Sequence, residues 1–269
     1  MAEDNFYDEN QKKQVNKLVD DMTLFDDDLM SHVFDKNIEA TELVLRIILG
    51  QDIKVISVDG QDELKNPIVG GRDITLDVHA IDSHGKEIDI EVQGNSQGAA
   101  VERARFHSSM VDARMLKAGE EFKKLKDSYV IFIYKNDKFK EGQPLYHIDR
   151  IVRETGKPFE DGSHIIYVNG NYKGDDEIAQ LMADFHQKDS EDIHFKALAD
   201  GVKHYKETEE GRETMCESVE RYAEEREIKT KLDVARDLIK EAGFSIDQAL
   251  KILKIGKDQQ EFFVSQLQK

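Results

Sequence analysis

The sequence predicts an α/β domain with a mixed central sheet flanked by helices, followed by a C-terminal helical tail. Three observations predict this fold class. Residues 72–93 alternate apolar and polar side chains on both sides of a short glycine-containing turn, as a β-hairpin does. Residues 128–134 form a continuous apolar run, which is typical of a strand buried on both faces. From about residue 175 the chain becomes strongly charged and shows helical spacing.

The elements before the hairpin are predicted from helical spacing and from turn residues. Residues 1–20 are polar, and we expect them to form a flexible N-terminal segment that is either frayed or helical. Apolar residues at helical spacing predict helices over 21–34 and 37–49, the second of which ends at Gly50. Residues 53–58 are predicted to form a short strand that leads toward the hairpin.

After the hairpin, a crossover helix is predicted from about residue 97 to residue 116. It leads to the buried strand at 128–134, and residues 147–152 and 164–169 supply further strands. We therefore expect an α/β domain over 21–173 and a charged helical region over 174–269. In that region Ser245 caps the first of two short helices broken at Gly256. The region could bind a partner or join two copies of the chain.

The composition limits the class of protein. The chain has 269 residues and a formal net charge of −18, which argues against a generic nucleic-acid binder. Basic residues nevertheless outnumber acidic ones between Gly98 and Lys140, so a local basic surface is possible. No apolar run approaches the roughly 18 residues of a membrane span, and the acidic N-terminus lacks signal-peptide features. With a single cysteine, Cys216, these features predict a cytoplasmic protein.

The turn of the hairpin fixes its register. Ser83-His84-Gly85 is a three-residue loop that ends in glycine, which suits a type I turn followed by a left-handed residue. Such a turn pairs Asp82 with Lys86. Counting outward from that pair, the apolar residues of the two strands face each other. The same register places Asp77 directly opposite Glu91.

Two directly opposed carboxylates repel each other and weaken a sheet. A divalent cation between Asp77 and Glu91 would remove that repulsion. Mg²⁺ is favoured because it prefers hard oxygen ligands and needs only one or two protein carboxylates. The alternative is an ordinary solvated polar face, in which His79 pairs with Asp89 and neutralises part of the charge.

Several motifs occur in a fixed order along the chain. Two helices and a strand precede Leu76-Asp77-Val78, and Ile90-Glu91-Val92-Gln93 follows the glycine-containing turn. Arg103 then opens a helix, and Gly119-Glu-Glu-Phe-Lys-Lys-Leu precedes the buried strand. This order resembles the PD-(D/E)XK nuclease family transposases, also called recombination-promoting nucleases, whose corresponding segment is Gly-Glu-Asp-Tyr-x-x-Leu. The resemblance runs from about residue 23 to the end of the chain.

The resemblance implies a restriction-endonuclease-like core and metal-dependent hydrolysis of phosphodiester bonds in DNA. The implied ligands of Mg²⁺, or of Mn²⁺, are Asp77, Glu91 and the backbone carbonyl of Val92. Gln93 stands where many members of the wider superfamily carry a lysine. Its amide can orient a water molecule but cannot act as a base, so the general base stays unassigned.

Further site residues are also implied, each with an alternative. Glu39 is the best-aligned helical acid, with Glu42 one turn behind it, and both could equally face solvent. Arg103 could hold a phosphate or pair with a carboxylate. Arg72 could contact a backbone phosphate or only be solvated. His107 is a weak candidate.

Two classes of function follow from these observations. The first is a DNA endonuclease of low sequence specificity that promotes recombination. The second is a non-catalytic protein that keeps the nuclease fold and uses its C-terminal helices for interaction or dimerisation. The motif residues Asp77, Glu91 and Gln93 favour the first, and the acidic tail favours the second. Because the net charge is so negative, we expect DNA binding to be weak and salt-sensitive.

Overall fold

The helices and strands follow the predicted α/β order. The computed structural model describes residues 2–94 and 98–268. In those residues the helices are α1 (Ala2–Asp21), α2 (Asp27–Phe34), α3 (Ile38–Leu49), α4 (Val101–Met115), α5 (Glu177–Phe185), α6 (Lys196–Glu207), α7 (Glu209–Lys240), α8 (Ile246–Ile252) and α9 (Lys257–Leu267). The strands are β1 (Val55–Leu64), β2 (Ile74–Asp82), β3 (Glu87–Gln93), β4 (Ser128–Tyr134), β5 (Leu145–Ile148), β6 (Ile151–Val152), β7 (Lys157–Pro158) and β8 (Ser163–Asn169). The predicted start of the crossover helix, at residue 97, lies outside the described residues.

The main sheet is mixed, as predicted. Across the described chain its strand order is β1-β2-β3-β4-β8-β5. β1, β2 and β3 are antiparallel neighbours, whereas β3, β4 and β8 are parallel to one another. The parallel pair β3 and β4 needs a crossover connection, which α4 supplies. The predicted fold class, a restriction-endonuclease-like α/β core with a helical C-terminal region, is therefore confirmed.

The hairpin register is confirmed over the part of the ladder next to the turn. The backbone N–H of Asp82 donates to the carbonyl of Lys86 at 3.1 Å. Gly85 has a φ of 78°, in the left-handed region that the predicted turn requires. Val78 lies opposite Ile90, and the ladder between β2 and β3 ends at this pair. The strands thus separate at the position of the predicted metal site.

The polar face of the hairpin is buried and not solvated. Every residue of β3 and of β4 is buried. α4 packs on the face that carries the acidic side chains of β3, and α2 also packs against β3. His107 of α4 contacts the ring of Phe132 on β4, with the ring centroids 6.0 Å apart. The polar side chains of β3 therefore lie between a helix and a sheet, where they need partners.

The chain divides into two compact units, Met1–Met215 and Cys216–Lys269. The first unit extends past residue 173, where the sequence predicted its end, because α5 and α6 pack against α2 and α3. The second unit has its own core, formed by Leu232, Leu250, Ile255 and Phe263. Its helix α8 begins with the predicted Ser245 cap, which forms a capping box with Gln248. Across the described residues, no helix combines the length and the apolar character that a membrane span needs.

Candidate active site

Asp77 and Glu91 meet where β2 and β3 separate. Beyond the pair Val78 and Ile90, side chains replace the ladder hydrogen bonds. The backbone N–H of Asp77 donates to Oε1 of Glu91 at 3.1 Å. The backbone N–H of Val92 donates to Oδ2 of Asp77 at 3.0 Å. Each carboxylate thus binds the opposite strand, which fixes both side chains on rigid backbone and on the same side of the sheet.

Burial disfavours the ionised form of both carboxylates. Asp77 is 7% exposed and Glu91 is 0% exposed. Burial and then the charge of Glu91 raise the pKa of Asp77 well above its ordinary value. Burial and then the charge of Asp89 raise the pKa of Glu91 to about 8, against the opposing effects of His107 and Arg103. A site in which buried acids repel one another is a candidate functional site, because a cation there would relieve the repulsion.

Arg103 of α4 is the protein's own cation at this position. Its Nη2 lies 2.5 Å from Oε2 of Glu91. The guanidinium also lies over the ring of Phe132, 5.9 Å from the centroid. The side chain is 34% exposed, so part of it is open to solvent. Of the two roles that the sequence left open for Arg103, the structure shows the pairing with a carboxylate.

Asp89 and His107 form a buried pair behind Arg103. Oδ2 of Asp89 lies 2.9 Å from Nδ1 of His107. Nε of Arg103 donates to Nε2 of His107 at 3.3 Å, so the proton of the neutral ring lies on Nδ1 and is donated to Asp89. Burial lowers the pKa of His107, which keeps the ring neutral. The pair therefore orients Arg103 toward Glu91.

The expectation that His79 pairs with Asp89 is wrong. Nε2 of His79 lies 2.9 Å from Glu87, and its Nδ1 lies 3.1 Å from Asp62. His79 does stand opposite Asp89 in the ladder. However, α4 brings His107 to Asp89, and two residues so far apart in the sequence give no local signal of that contact.

A third carboxylate comes from α2. Asp27 is the first residue of that helix, and its charge helps to raise the pKa of Asp77. Burial, followed by the charge of Asp28, raises the pKa of Asp27 itself to about 6. The structure does not bring Glu39 to this cluster: Glu39 lines a different cavity on α3, together with Glu42. The signal for Asp27 was a run of three aspartates, which sequence analysis read only as part of a helix.

Gln93 lies two residues beyond Glu91, on the same face of β3. Its side chain packs directly against Gly98. A Cβ atom on residue 98 would lie 1.7 Å from Oε1 of Gln93, so only glycine allows the amide this position. The backbone carbonyl of Gln93 accepts from the N–H of Lys135 at 3.0 Å, which ties the end of β3 to the end of β4.

A family model described as PD-(D/E)XK nuclease family transposase matches residues 35–238. This match spans well over half of the chain. The chain belongs to this family. The resemblance inferred from the motifs is therefore confirmed. No curated protein and no solved structure matched the chain. The family match begins after Asp27, so the third carboxylate lies outside it.

In this PD-(D/E)XK protein, the carboxylates lie beside an open cavity of about 830 Å³. Asp77 lines it from β2, and His107 lines it from α4. Three arginines also line it: Arg72, Arg103 and Arg105. Three acidic side chains, Asp73, Asp77 and Glu102, line the same cavity, so its lining carries no net positive formal charge, and an anion there would depend on direct contact with an arginine. Arg72 and Arg103, which the sequence analysis singled out, thus share one cavity with Asp77.

The PD-(D/E)XK site contains two sets of possible ligands for a divalent cation. The first, which stays a prediction from the sequence, is the set of oxygens from Asp77, Glu91 and the carbonyl of Val92. The second is Asp89, Glu91 and His107, whose ligand atoms all lie within 4.8 Å of one another. Within the described residues, Oδ1 of Asp89 is buried without a hydrogen-bond partner. Oxygen ligands alone suit Mg²⁺, whereas a set with an imidazole suits Mn²⁺ or another transition metal.

The raised pKa values predict how stability depends on pH without a cation. A carboxyl whose folded-state pKa is raised stabilises the fold below its unfolded pKa, and this stabilisation is lost as the pH rises through the folded value. For Glu91 that window runs from 4.5 to about 8. In EDTA we therefore expect the free energy of unfolding to fall between about pH 4.5 and about pH 8, by on the order of 5 kcal/mol.

Urea unfolding at several pH values measures this effect. The matched control is Glu91→Gln, which keeps the volume of the side chain but removes its titration. The variant should flatten the pH profile. A wild-type profile that stays level or rises over this range would contradict the prediction.

Proposed function

We propose that this chain is a metal-dependent DNA endonuclease that hydrolyses phosphodiester bonds with low sequence specificity, and that it promotes recombination as transposase-like nucleases do. The observation that carries the proposal is the pair of buried carboxylates, Asp77 and Glu91, where β2 and β3 separate. Two buried acids that repel each other would only destabilise a non-catalytic scaffold. In a cation-binding site the same two acids are useful, because the bound ion compensates both charges.

The cofactor we propose is Mg²⁺, with Mn²⁺ as an alternative. Asp77, Glu91 and the carbonyl of Val92 would hold it. When bound, such an ion lowers the pKa of a water molecule and neutralises charge on the phosphate. The donor set supports this assignment, since it consists of hard oxygens on two rigid strands.

The residues around the proposed cation site have roles that follow from their chemistry. Arg103 and Arg72 hold the phosphate, since guanidinium groups bind phosphate oxygens in a bidentate fashion. The Asp89–His107 pair keeps Arg103 in place. The amide of Gln93 orients the attacking water by hydrogen bonding, and Gly98 gives that amide the room it needs.

DNA is the proposed substrate, and its binding is expected to be weak and salt-sensitive. The phosphate contacts come from a small number of arginines in a cavity that acidic side chains also line, and the chain as a whole has a formal net charge of −18. Sequence preference depends on contacts to base edges, and nothing in the sequence resembles a base-reading helix with clustered arginine and asparagine, so we expect little sequence preference.

A second candidate function is interaction through the C-terminal unit. In that unit Tyr222, Val234 and Phe262 are exposed although they are large and apolar. Exposed apolar side chains of this kind favour contact with a partner or with a second copy of the chain. Light scattering of the full chain gives its mass in solution and would show a dimer directly.

Relaxation of supercoiled plasmid at low salt tests the proposed activity. We expect nicked and linear DNA with Mg²⁺ or Mn²⁺ and none with EDTA. Raising the salt should suppress cleavage, because the phosphate contacts are screened. If no metal supports cleavage at any protein concentration, the proposed activity is wrong and the interaction function is favoured.

Asp27 and Glu39 provide a matched pair of variants. Asp27 interacts with Asp77, whereas Glu39 lines another cavity. Asp27→Asn is therefore expected to reduce metal-dependent cleavage by about 10- to 100-fold, as the loss of groups that support a metal site does. Glu39→Gln should cleave as the wild type does. Initial rates of plasmid nicking measure both, and the reverse result would place the third acid on α3.

A further inference from the structure

The loop between β1 and β2 carries two exposed aliphatic side chains at its tip. It comprises residues 65–73, and at its tip Ile68 is 72% exposed and Val69 is fully exposed. Loop tips usually carry Gly, Asn, Asp or Ser, since these suit tight turns and water. Two adjacent branched apolar residues at such a tip are therefore unusual, and they indicate a surface that enters an apolar environment on binding.

The loop is held by internal hydrogen bonds. Oδ1 of Asn66 accepts from the N–H of Ile68 at 2.9 Å, and Nδ2 of Asn66 donates to the carbonyl of Arg72 at 3.1 Å. The N–H of Gly71 donates to the carbonyl of Ile68 at 2.8 Å. A Cβ atom on residue 71 would lie 2.4 Å from the Asn66 side chain, so the loop closes tightly only with glycine there. The tip is thus presented by a defined structure.

The base of the loop rests on α4. Leu64 and Ile74, which flank the loop, pack in one apolar cluster with Met110 of α4. Nδ2 of Asn66 also lies 3.8 Å from the sulfur of Met110. The same helix carries Arg103. The base of the loop is thus anchored on the helix that carries Arg103, and Arg72, three residues beyond Val69, lines the cavity beside Asp77.

We propose that Ile68 and Val69 form an apolar wedge that inserts between base pairs of duplex DNA bound at the cavity. This inference rests on the proposed nuclease function. It specifies the substrate as duplex DNA in which one base step is unstacked. Proteins that deform DNA insert branched or aromatic apolar side chains at a base step while neighbouring basic residues hold the backbone. Here the wedge is Ile68 and Val69, and the neighbouring basic residue is Arg72.

The observations favour DNA over a protein partner. A stable protein interface buries about 800 Å² on each partner, far more than two side chains at a loop tip supply. A base step needs only a small apolar wedge next to a phosphate contact. In the described residues neither Ile68 nor Val69 lines the cavity beside Asp77, but Arg72 of the same loop does. No residue of the segment from Ile151 to Phe159, which carries other exposed apolar side chains, lines it.

The wedge can be tested by fluorescence of a duplex that contains 2-aminopurine, whose emission rises when the base unstacks. The double variant Ile68→Ser with Val69→Ser removes the wedge. The matched control, Ile151→Ser with Phe159→Ser, removes two exposed apolar side chains elsewhere. We expect wild type and control to raise the emission and the wedge variant to leave it unchanged at saturating protein.

Cleavage provides a second readout. The wedge variant should nick intact duplex about tenfold more slowly than the wild type. On a duplex with a short unpaired bubble the variant should nick at the wild-type rate, because the bases there are already unstacked. Equal emission and equal cleavage for wedge variant and wild type would overturn the proposal. So would a dimer in light scattering that only the wedge variant loses, since that would assign the tip to a second copy.

Failure of the wedge and failure of the nuclease function give different results. Fluorescence reports unstacking without any cleavage, so it decides the wedge even if the wild type cuts no DNA. If the wild type cuts DNA and the wedge variant matches it in both readouts, the wedge proposal is wrong and the nuclease proposal stands. Equal thermal unfolding of the wedge variant and the wild type shows that the loop change left the fold intact.

Discussion

Replacing Asp77 with asparagine is expected to reduce cleavage strongly and, at the same time, to stabilise the protein in the absence of a divalent cation. Asp77 is buried, and the charges of Glu91 and Asp27 further raise its pKa. Asparagine keeps the volume and can still accept the hydrogen bond from the N–H of Val92. It removes one of the charges that repel each other, so the metal-free fold gains stability.

The loss of activity has a separate cause. A neutral amide is a poor ligand for a hard divalent cation, so the variant should lose the metal-bound water and the charge neutralisation at the phosphate. We expect plasmid nicking to fall by about 10³-fold, the scale on which single groups that stabilise transition-state charge act. Added Mn²⁺ should raise the unfolding temperature of the wild type and leave that of Asp77→Asn unchanged.

Plasmid relaxation and thermal unfolding of the same preparations check both halves of this prediction. A stable variant rules out loss of the fold as the reason for lost cleavage. A variant that cuts DNA as the wild type does would show that Asp77 holds no catalytic cation. A variant destabilised in EDTA would show that Asp77 acts mainly as a structural acceptor for β3.

Replacing Arg103 with methionine is expected to reduce both stability and cleavage. The change leaves Glu91, which is fully buried, without its guanidinium partner, and it leaves Nε2 of His107 without a donor. Loss of one partner of a buried ion pair costs about 3–5 kcal/mol, and because a third of Arg103 is exposed we expect on the order of 2 kcal/mol above pH 8, where Glu91 is ionised in the wild type. Methionine keeps most of the apolar contact with Phe132.

A double-mutant cycle separates the structural role of Arg103 from its role toward phosphate. With Glu91→Gln in the background, removal of Arg103 should cost little stability, because no buried charge is left unpaired. Phosphate contact is a separate function of Arg103. Arg103→Lys should keep much of the stability, because lysine still places a positive charge beside Glu91. It should bind DNA less tightly, because lysine lacks the bidentate guanidinium group. Urea unfolding and DNA binding by anisotropy give the two readouts. Equal costs in both backgrounds would refute coupling between Arg103 and Glu91.

The central hairpin could be predicted from sequence because its determinants are local. The turn at 83–85 sets the register, and period-2 alternation sets the faces, so the neighbourhood of Asp77 and Glu91 follows by counting. The same counting could not show that the ladder stops at Val78 and Ile90. That break arises because the two carboxylates accept hydrogen bonds from backbone N–H groups of the opposite strand. The alternation of apolar and polar residues does not predict such side-chain hydrogen bonds.

The partners from other elements could not be predicted in this way. His107 reaches Asp89 because α4 crosses over the face of β3, and Asp27 reaches the site because α2 begins beside it. Both contacts depend on how helices pack on the sheet, which residue spacing does not encode. By the resemblance to the family, Glu39 was the best-aligned helical acid, yet in the structure it lines another cavity. The packing of α5 and α6 on α2 and α3 was not predicted for a similar reason.

The most direct test of the proposed cation site is a crystal structure of the protein with Mn²⁺, using the anomalous scattering of the ion. We expect one strong anomalous peak between the carboxylates of Asp77 and Glu91 and near the carbonyl of Val92. The Asp77→Asn protein, crystallised in the same way, should lack that peak. A peak bounded instead by Asp89, Glu91 and His107, or no peak at saturating Mn²⁺, would contradict the assignment of Asp77 and Glu91 as the pair that holds the cation.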